Sequence, residues 1–420
     1  MIGGSYVTVK RNLTERYFPH AASASTWQDT WGLSPKTDAL HRFNLPPHPD
    51  FPTTPWFCPM PPPNITGQLH LGHALFLTLQ DIQTRARALM GQETLWIPGT
   101  DHAGLATHAK IIDTLAQQGC DPYDAEAYDQ IAENWKNHHH DRIITQMKAM
   151  GPACDWDKER FTLDASYQKT TWQAFKQLIE DDPSRLYRQE DQWYLNMEDL
   201  ARPLIQALEK GHIQITPTSS KSSLLHMLRH IEPWCLSRQI RWGMPMPHRI
   251  NPEGQWAFHE PETACLDGYE SLPDTLDTWF LSSLWPLALL GWPQAQSSHE
   301  WDNFYPAAWI ETGEDILFFW CARMLMMGYA LTGQWPFKNI YLHGLIRDGQ
   351  GRKMSKSLGN GIDPMEWIKR YGADTLRWTL ACHTEPGLDM KISEDDLKTE
   401  ARFLNKIYQS ARFLDMHGIR

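Results

Sequence analysis

The chain has 420 residues and a formal net charge of −11, and 41% of its residues are hydrophobic and 21% charged. This composition excludes a disordered or fibrous protein, and the length predicts two or three domains. The negative net charge argues against a protein that coats nucleic acid with its whole surface, although a local basic patch could still bind a polyanion. Twenty tryptophans indicate either large buried aromatic surfaces or rigid pocket walls.

Signals for a membrane or secreted protein are missing from the sequence. No run of 18 apolar residues is found, and residues 1–10 lack the apolar core of a signal peptide. The seven cysteines occur singly, which is typical of a reducing cytoplasm and leaves no cysteine-based zinc site. We therefore expect a cytoplasmic protein without membrane contact and without structural zinc. The histidines at 138–140 are interpreted as a solvated helix face, because consecutive helical residues point in different directions.

The first predicted elements form one supersecondary unit. Residues before 46 are polar and irregular and predict an arm. Residues 56–58 predict a buried strand, apolar residues at helical spacing follow from Gly72 to Leu89, and 94–97 predict a second buried strand. A strand, a helix and a strand in this order predict a βαβ unit, whose ligand crevice lies at the carboxyl ends of parallel strands.

The later elements continue the alternation of helix and strand. They are, in chain order, helices at 122–150 and 165–180, short pieces broken by prolines over 181–230, an apolar helix at 316–331, a strand at 339–342, a Gly- and Lys-rich loop at 348–361 and a mixed-charge helix from 394.

The segment from Pro61 to His73 lies where the first predicted strand ends and its helix begins. Free backbone N–H groups and the helix dipole attract anions at such a place. His70 and His73 lie three residues apart on the first turn, and Gly72 between them lets a flat ring or a phosphate approach the backbone. Taken alone, two histidines near a helix start are more often structural.

A second segment, residues 351–360, reads Gly-Arg-Lys-Met-Ser-Lys-Ser-Leu-Gly-Asn and places Lys353 and Lys356 in a glycine-flanked loop. Mobile lysines suit a polyphosphate that is held most tightly as charge shifts onto it. Taken alone, this pair would be interpreted as a solvated basic loop. Together, about 280 residues apart, the His-x-Gly-His turn and the Lys-Met-Ser-Lys-Ser (KMSKS) loop resemble the paired signatures of class I aminoacyl-tRNA synthetases.

Neighbouring residues resemble the valyl-tRNA synthetases within that class. The matching segments are 61–67, 99–107, 234–239, 276–280 and 315–324. The resemblance extends from about Phe51 to Phe413. It implies an α/β fold with a Rossmann-like parallel sheet, split by a short connective insertion and followed by a C-terminal helical segment.

The resemblance also implies a division of the chain. The expected parts are an N-terminal arm at 1–45, the first half of the Rossmann catalytic domain at 46–150, a reduced connective insertion without an editing domain at 151–232, the second half of the catalytic domain at 233–345, the KMSKS loop and stem-contact region at 346–393, and the first helix of a truncated anticodon-binding domain at 394–420.

The implied reaction is attack of an amino-acid carboxylate on the α-phosphate of ATP, followed by transfer of the aminoacyl group to a tRNA 3′ end. It needs no protein nucleophile, so positioning and charge stabilisation supply the rate. The resemblance assigns the catalytic contacts to His70, His73, Lys353 and Lys356. It assigns ATP binding, with Mg²⁺ accompanying the nucleotide, to Gly72, Gly313, Asp315, His343, Gly344, Met354 and Ser355.

The resemblance also implies a pocket for the amino acid. Its expected residues are Pro62, Asn64, Asp101, Trp242, Thr275 and Trp279. Asp101 would bind the ammonium group, and the two tryptophans would wall the side-chain pocket. No metal-binding residue of the chain itself is predicted.

The sequence departs from the family in several places. Only about 25 residues, from Trp193 to Pro217, occupy the place expected for the editing domain, and the chain stops after about one helix of the anticodon-binding domain. His108 and Glu314 replace a usual Gln and a usual aromatic residue. Thr275 replaces a Val or Ile. A hydroxyl at the pocket wall predicts relatively ready activation of threonine and a shift toward valine in Thr275→Val. A threonine that faces the surface or bonds to the backbone, which is the more frequent case, predicts neither. An apolar pocket alone rejects a hydroxyl-bearing isostere only about a hundredfold.

Three hypotheses follow from the sequence. One is a minimal valyl-tRNA-synthetase-like ligase that activates an amino acid, valine foremost, and passes it to a tRNA or a carrier-protein thiol. Another is a catalytically silent paralogue that binds amino acid, ATP or aminoacyl-adenylate as a regulatory module. The third is a shortened form of an ordinary synthetase. The intact signatures favour catalysis, because a binding module need not retain both lysines. We expect a monomer.

Overall fold

The structure is a computed structural model of the chain. It describes residues 54–121, 123–253, 256–258, 270–271, 274–354 and 360–418. The predicted arm at 1–45 lies outside the described residues, as do Ser355 and Lys356 of the KMSKS loop.

Thirteen α-helices lie within the described residues. They are α1 Leu71–Leu89, α2 Gly104–Gln118, α3 Ala125–Met150, α4 Ala165–Asp181, α5 Glu198–Glu209, α6 Ser219–Arg229, α7 Thr278–Ser283, α8 Trp285–Leu289, α9 His299–Phe304, α10 Arg323–Thr332, α11 Pro364–Tyr371, α12 Ala373–Cys382 and α13 Glu394–Met416.

Seventeen short strands lie within the same ranges. They are β1 Trp56–Pro59, β2 Thr94–Ile97, β3 Gly99–Thr100, β4 Arg160–Phe161, β5 Leu186–Gln189, β6 Gln192–Leu195, β7 Gln214–Thr216, β8 Trp234–Cys235, β9 Ser237–Arg238, β10 His248–Ile250, β11 Trp256–Phe258, β12 Glu270–Ser271, β13 Thr275–Leu276, β14 Ile310–Gly313, β15 Asn339–His343, β16 Ile346–Arg347 and β17 Met390–Lys391.

A parallel sheet forms the centre of the fold. β1 pairs with β2, while β15 pairs with β14 on one side and β7 on the other, all in parallel. The N–H of Ala308, just before β14, donates to the carbonyl of Phe57 on β1. The order is therefore β2-β1-β14-β15-β7. β1, β2 and β14 are buried along their whole length, as expected of strands covered on both faces.

The part of the chain between the β1–β2 pair and the β14–β15 pair forms regular secondary structure. β5 and β6 form an antiparallel hairpin, and β6 also pairs with β8. The interval from Trp193 to Pro217 holds most of β6, all of α5 and β7. Because β7 belongs to the central sheet, the interval predicted as a connective insertion at 151–232 contributes one strand to that sheet.

The apolar segment predicted as a helix at 316–331 is continuous but irregular. A 3₁₀ turn at Glu314–Ile316 passes into a π-helical stretch at Leu317–Ala322 and then into α10. Its length and composition alone would allow a membrane span, but more than half of it is buried inside the fold. A helix in the core of a globular protein can have the same length and composition. Four tryptophans are among the largest fully buried side chains: Trp96, Trp193, Trp285 and Trp292.

The C-terminal helices are joined to the central unit by a buried carboxylate. Asp81 on α1 is fully buried and accepts a hydrogen bond from Arg85 Nε at 2.7 Å. It also accepts from the N–H of Ala153 at 2.7 Å and pairs with Arg377 on α12. A buried charge needs such partners to offset its desolvation. The arrangement fixes α12 against the helix that follows β1.

Candidate functional site

A cavity of about 980 Å³ opens where β1, β14 and β15 end. Such crevices arise because the chain leaves a parallel sheet there and turns into the next helix or loop. The structure brings together most of the residues predicted for the site. Those that line the cavity are Pro62, Asn64, His70, Gly72, His73, Asp101, Trp279, Gly313, Asp315, His343, Gly344, Lys353 and Met354.

The two histidines of the His-x-Gly-His turn cap helix α1. The N–H of Gly72 donates to Nδ1 of His70 at 3.1 Å, and the N–H of His70 donates to Nδ1 of His73 at 3.0 Å. Two imidazoles thus form a reciprocal capping box, a role usually filled by Ser or Thr with Glu or Gln. Because each Nδ1 accepts a backbone hydrogen, Nε2 carries the remaining ring hydrogen. Both rings therefore present an N–H donor away from the backbone.

The electrostatic setting of His73 favours the neutral ring. Burial, assisted by the neighbouring His70, holds the pKa of His73 well below its ordinary value. The two ring centroids are 3.8 Å apart, so two charged imidazoles would repel strongly. His73 consequently acts as a neutral N–H donor at the start of α1.

Gly72 is needed by this capping geometry. A Cβ at position 72 would lie 2.9 Å from Cε1 of His70 and 3.0 Å from Nδ1. The sequence argument gave Gly72 a different reason, namely the approach of a ring or phosphate. The close contact in the structure is with the side chain of His70.

The end of β14 carries a carboxylate into the cavity. A Cβ at Gly313 would lie 2.5 Å from Oδ1 of Asp315, so the glycine leaves room for this carboxylate against the strand end. The same position is 3.5 Å from Nε2 of His343, at the end of the neighbouring strand β15. Asp315 and His343 therefore approach each other at one wall of the cavity.

The described part of the KMSKS loop is fixed at its base by Asp348. Asp348 accepts from the N–H of Arg352 at 2.8 Å and from Asn360 Nδ2 at 3.0 Å. Asn360 and Arg352 hold the pKa of Asp348 well below its ordinary value. Asn360 also donates to the carbonyl of Lys353 at 3.2 Å. These bonds close the loop across its base and bring Lys353 to the cavity.

Asp101 lies at the opposite wall and is nearly fully buried, with 4% of its surface exposed. It accepts from the N–H of Ala103 at 2.6 Å, from Thr278 Oγ1 at 2.8 Å and from Ser282 Oγ. Backbone hydrogen bonds link Asp101 to both neighbours of Asn64, which fixes the two segments side by side. The cavity thus holds a carboxylate with defined orientation beside the apolar face of Trp279.

Two residues predicted for the amino-acid pocket do not line the cavity. Trp242 Nε1 donates to the carbonyl of His102 at 2.8 Å, behind the Asp101 segment. Thr275 is buried under Gly243, and its hydroxyl donates to the carbonyl of Arg238 at 3.4 Å. The hydroxyl of Thr275 therefore has a backbone partner away from the cavity.

Sequence reasoning missed three polar residues of the site. Thr278 and Ser282 lie on one face of α7, four residues apart, and both donate to Asp101. Their spacing was visible in the sequence, but nothing local indicated their partner. Glu311, fully buried on β14, contacts His343 from behind, and a single acid in an apolar strand gave no signal of that contact.

The described residues hold no group of three or more His, Cys, Asp or Glu side chains arranged to bind a metal ion. His139 of the histidine triplet stacks on Trp135 with ring centroids 4.1 Å apart, and His140 pairs with Glu159 at 3.3 Å.

Comparison with known families agrees with this site. The family model for class I tRNA synthetases (I, L, M and V) matches residues 48–184, 179–265 and 253–393. The chain belongs to this family.

Within the family, the chain is similar to valine–tRNA ligases. It is 28% identical to the chloroplastic/mitochondrial valine–tRNA ligase 2 of Arabidopsis thaliana, over 87% of this chain and 58% of that protein. The valine–tRNA ligase of Geobacillus stearothermophilus is 29% identical, over 85% of this chain and 62% of that protein. The valine–tRNA ligase of Bdellovibrio bacteriovorus is 28% identical, over 96% of this chain and 65% of that protein.

The chain spans about three fifths of the length of these relatives. The alignment with the Arabidopsis protein extends over 566 positions but contains only 87% of a 420-residue chain. About 200 aligned positions of the relative therefore face gaps. Within the aligned region, the relatives therefore have about 200 more positions than this chain.

Solved structures share the fold at low sequence identity. The LeuRS of Agrobacterium radiobacter K84 agnB2, in a ternary complex with tRNA and LeuAMS, superposes with a TM-score of 0.71 and 15% identity, covering 93% of this chain and 75% of that one. Methionyl-tRNA synthetase of Mycobacterium tuberculosis, bound by methionyl-adenylate, superposes with a TM-score of 0.64 and 17% identity. The match covers 83% of this chain and 68% of that one. The predicted fold class is confirmed.

Proposed function

We propose that the chain is a ligase that activates an amino acid, valine foremost, with ATP to form an aminoacyl-adenylate and pyrophosphate. The observation that carries this proposal is one cavity lined by two N–H-donating histidines, Asp315, Lys353 and Asp101. We call the wall formed by His70, His73, Gly313, Asp315, His343 and Lys353 the nucleotide side. We call the wall formed by Pro62, Asn64, Asp101, Trp279 and Ser282 the amino-acid side.

On the nucleotide side, His70 and His73 would bind the phosphates of ATP. Their Nδ1 atoms accept hydrogen bonds from the backbone, so their remaining ring hydrogens are on Nε2. Donors fixed by a capping box need no reorganisation when negative charge develops, which is the main source of electrostatic catalysis. Asp315 would accept hydrogen bonds from ribose hydroxyls.

Lys353, together with Lys356 and Ser355, would hold the leaving pyrophosphate. The base of the loop is closed by Asp348, while Lys353 reaches the cavity. A cation that contacts the pyrophosphate most closely in the transition state raises the rate without tightening substrate binding. Mg²⁺ would accompany the nucleotide and neutralise part of its charge.

On the amino-acid side, Asp101 would bind the ammonium group of the substrate. A nearly buried carboxylate needs hydrogen-bond partners to offset its desolvation, and here three donors supply them. Trp279 would limit the size of the substrate side chain. This arrangement directs the substrate carboxylate toward the nucleotide side.

The acceptor would be a tRNA 3′ end or the thiol of a carrier protein. In our proposal, the additional positions of the relatives within the aligned region correspond to an editing domain, so this chain would select its substrate without hydrolytic correction. We also propose that the protein acts as a cytoplasmic monomer. The alternative, a silent paralogue that binds the adenylate, would require none of the loop lysines.

The test is amino-acid-dependent exchange of pyrophosphate into ATP, measured with each of the twenty amino acids. We expect exchange with valine, and weaker exchange with amino acids of similar volume. A signal from none of the twenty, with ATP binding intact by calorimetry, would favour the regulatory paralogue. Purified tRNA and a thiolated carrier protein, each added with radiolabelled amino acid, then distinguish the two acceptors.

A further inference from the structure

A buried polar chain extends from the centre of the fold to the nucleotide side of the cavity. Trp96 Nε1 donates to Gln80 Oε1 at 3.0 Å, and Gln80 Nε2 donates to Glu311 Oε2 at 3.0 Å. The other carboxylate oxygen of Glu311 contacts Nδ1 of His343. Trp96, Gln80 and Glu311 are at most 1% exposed, so water does not compete for these bonds. The chain ends at a histidine that lines the cavity.

The carboxylate determines which nitrogen of His343 carries hydrogen. We assign the hydrogen of this contact to Nδ1 of His343, because a carboxylate accepts hydrogen bonds and Gln80 already donates to its other oxygen. Nε2 then faces the wall formed by Gly313 and Asp315, where it lies 3.5 Å from the Cβ position of Gly313. This assignment is the opposite of that in His70 and His73, whose Nδ1 atoms accept from the backbone.

The charge of Glu311 also affects its other neighbours. Burial in the first place, and the Glu311 carboxylate in the second, raise the pKa of the Cys58 and Cys321 thiols. Both thiols therefore stay protonated around the carboxylate. Among the described residues, Glu311 contacts the titratable side chain of His343. Without this partner, its buried carboxylate would keep the hydrogen bond from Gln80.

We propose that Glu311 is a positioning residue, which fixes the ring of His343 so that Nε2 of His343 contacts ATP in the cavity. This inference rests on the proposed function, since it takes ATP as the ligand. Glu311 touches neither substrate nor reacting atoms and acts only through His343. Gln80 supports it, because it holds the second carboxylate oxygen and also donates to the backbone carbonyl of residue 311 at 3.1 Å.

The direct test is the protonation of the two ring nitrogens of His343, measured by ¹⁵N nuclear magnetic resonance on histidine-labelled protein. The signal is assigned by its loss in His343→Gln. We expect the chemical shift of a hydrogen-bearing Nδ1 in the wild type and in Glu311→Gln, whose amide oxygen can still accept. Glu311→Val should lose this signature, because valine offers no acceptor. An Nδ1 without hydrogen in the wild type would overturn the proposal.

A matched control separates positioning from general stability. Asp81 is another fully buried carboxylate, and it pairs with Arg377 rather than with the cavity. Asp81→Asn should lower the melting temperature and leave the Nδ1 signal of His343 unchanged. A loss of the signal in Asp81→Asn would assign the effect to the fold and overturn the positioning role. If Glu311→Val does not fold, the wild-type signal still decides the question.

A double-mutant cycle in the exchange reaction tests the functional consequence. Glu311→Val and His343→Gln should each raise the KM for ATP about tenfold, with a smaller change in kcat. The double variant should be no worse than His343→Gln, because Glu311 acts through that ring. Additive losses would overturn the proposal. If the wild type supports no exchange, the proposed function fails, and ATP binding by calorimetry replaces KM in the same cycle.

Discussion

The nucleotide side and the amino-acid side of the cavity are built in different ways. On the nucleotide side, His70 and His73 cap helix α1, to which they belong, and Asp315 lies just after the end of strand β14. On the amino-acid side, Asp101 receives hydrogen bonds from Thr278 and Ser282, which are 177 and 181 residues away in the chain. Local geometry thus forms the His-x-Gly-His part of the nucleotide side, and tertiary packing forms the support of Asp101 on the amino-acid side. A short motif can specify the first kind of arrangement but not the second.

This difference sets the effects expected of substitutions. At His70, His73 and Lys353, the donors proposed to contact the phosphates, they should change the chemical step, because these donors act on charge that develops during the reaction. On the amino-acid side they should change substrate binding, because the ammonium group carries the same charge throughout. Four predictions, from the largest effect to the smallest, examine this division.

Lys353→Ala should slow adenylate formation about 10²- to 10³-fold, because one fixed donor to developing charge contributes that much. The KM for valine should change little. The effect is measured by single-turnover rates of the chemical step, and Lys356→Ala should behave in the same way. Lys391→Ala is the matched control, since this exposed lysine packs beside Gly351 but does not line the cavity. An unchanged chemical step in Lys353→Ala would remove the lysine from this role.

Asp101→Asn should raise the KM for the amino acid by a factor that corresponds to about 2–4 kcal/mol, because it removes the charge that pairs with the ammonium group. The KM for ATP should stay within about twofold. Steady-state exchange kinetics with each substrate varied in turn measure both values. Ser282→Ala is the control, since it removes one donor to Asp101 but retains the charge. Equal losses for both substrates would place Asp101 outside the ammonium site.

Gly72→Ala should lower kcat about tenfold and destabilise the protein by about 1 kcal/mol, because the added methyl displaces His70 from the helix cap. Urea denaturation gives the change in unfolding free energy, and exchange kinetics give kcat. Gly119→Ala, at the end of α2, is a comparison for stability alone. A Cβ there meets no atom within 4 Å, but φ is +71°, so alanine strains the backbone without touching the cavity. Full activity in Gly72→Ala would show that the capping arrangement is dispensable.

Thr275→Val distinguishes the two roles that the sequence left open for Thr275. A hydroxyl at the pocket wall predicts a shift toward valine, and a threonine bonded to the backbone predicts none. In the structure, its hydroxyl donates to the Arg238 carbonyl and lies away from the cavity. We therefore expect the ratio of kcat/KM for threonine and valine to change less than about twofold. A larger shift would show that the side-chain pocket extends to Thr275.

The parts that sequence predicted well are those whose signals are local. The continuous apolar strands and the helix after β1 are each determined by neighbouring residues. Over 181–230, the prolines suggested short broken pieces, but α5 accommodates Pro203 within a 12-residue helix. Tertiary packing outweighs the local cost of such a proline.

The parts that sequence missed depend on contacts between distant segments. Ser282 and Glu311 gave no local sign of their partners, because those partners are fixed only when α7 and β15 pack into place. The family resemblance supplied Trp242 and Thr275 as pocket residues, but it could not supply their orientation in this chain. Spacing within a motif was reliable here, and side-chain direction across the fold was not.

The most direct test of the central claim is a single-turnover experiment with α-labelled ATP, valine and an excess of the protein over ATP. The account predicts that labelled valyl-adenylate accumulates on the protein, up to one equivalent per chain, and that Lys353→Ala forms it far more slowly. Binding of ATP without adenylate formation, with valine and with each of the other nineteen amino acids, would contradict it.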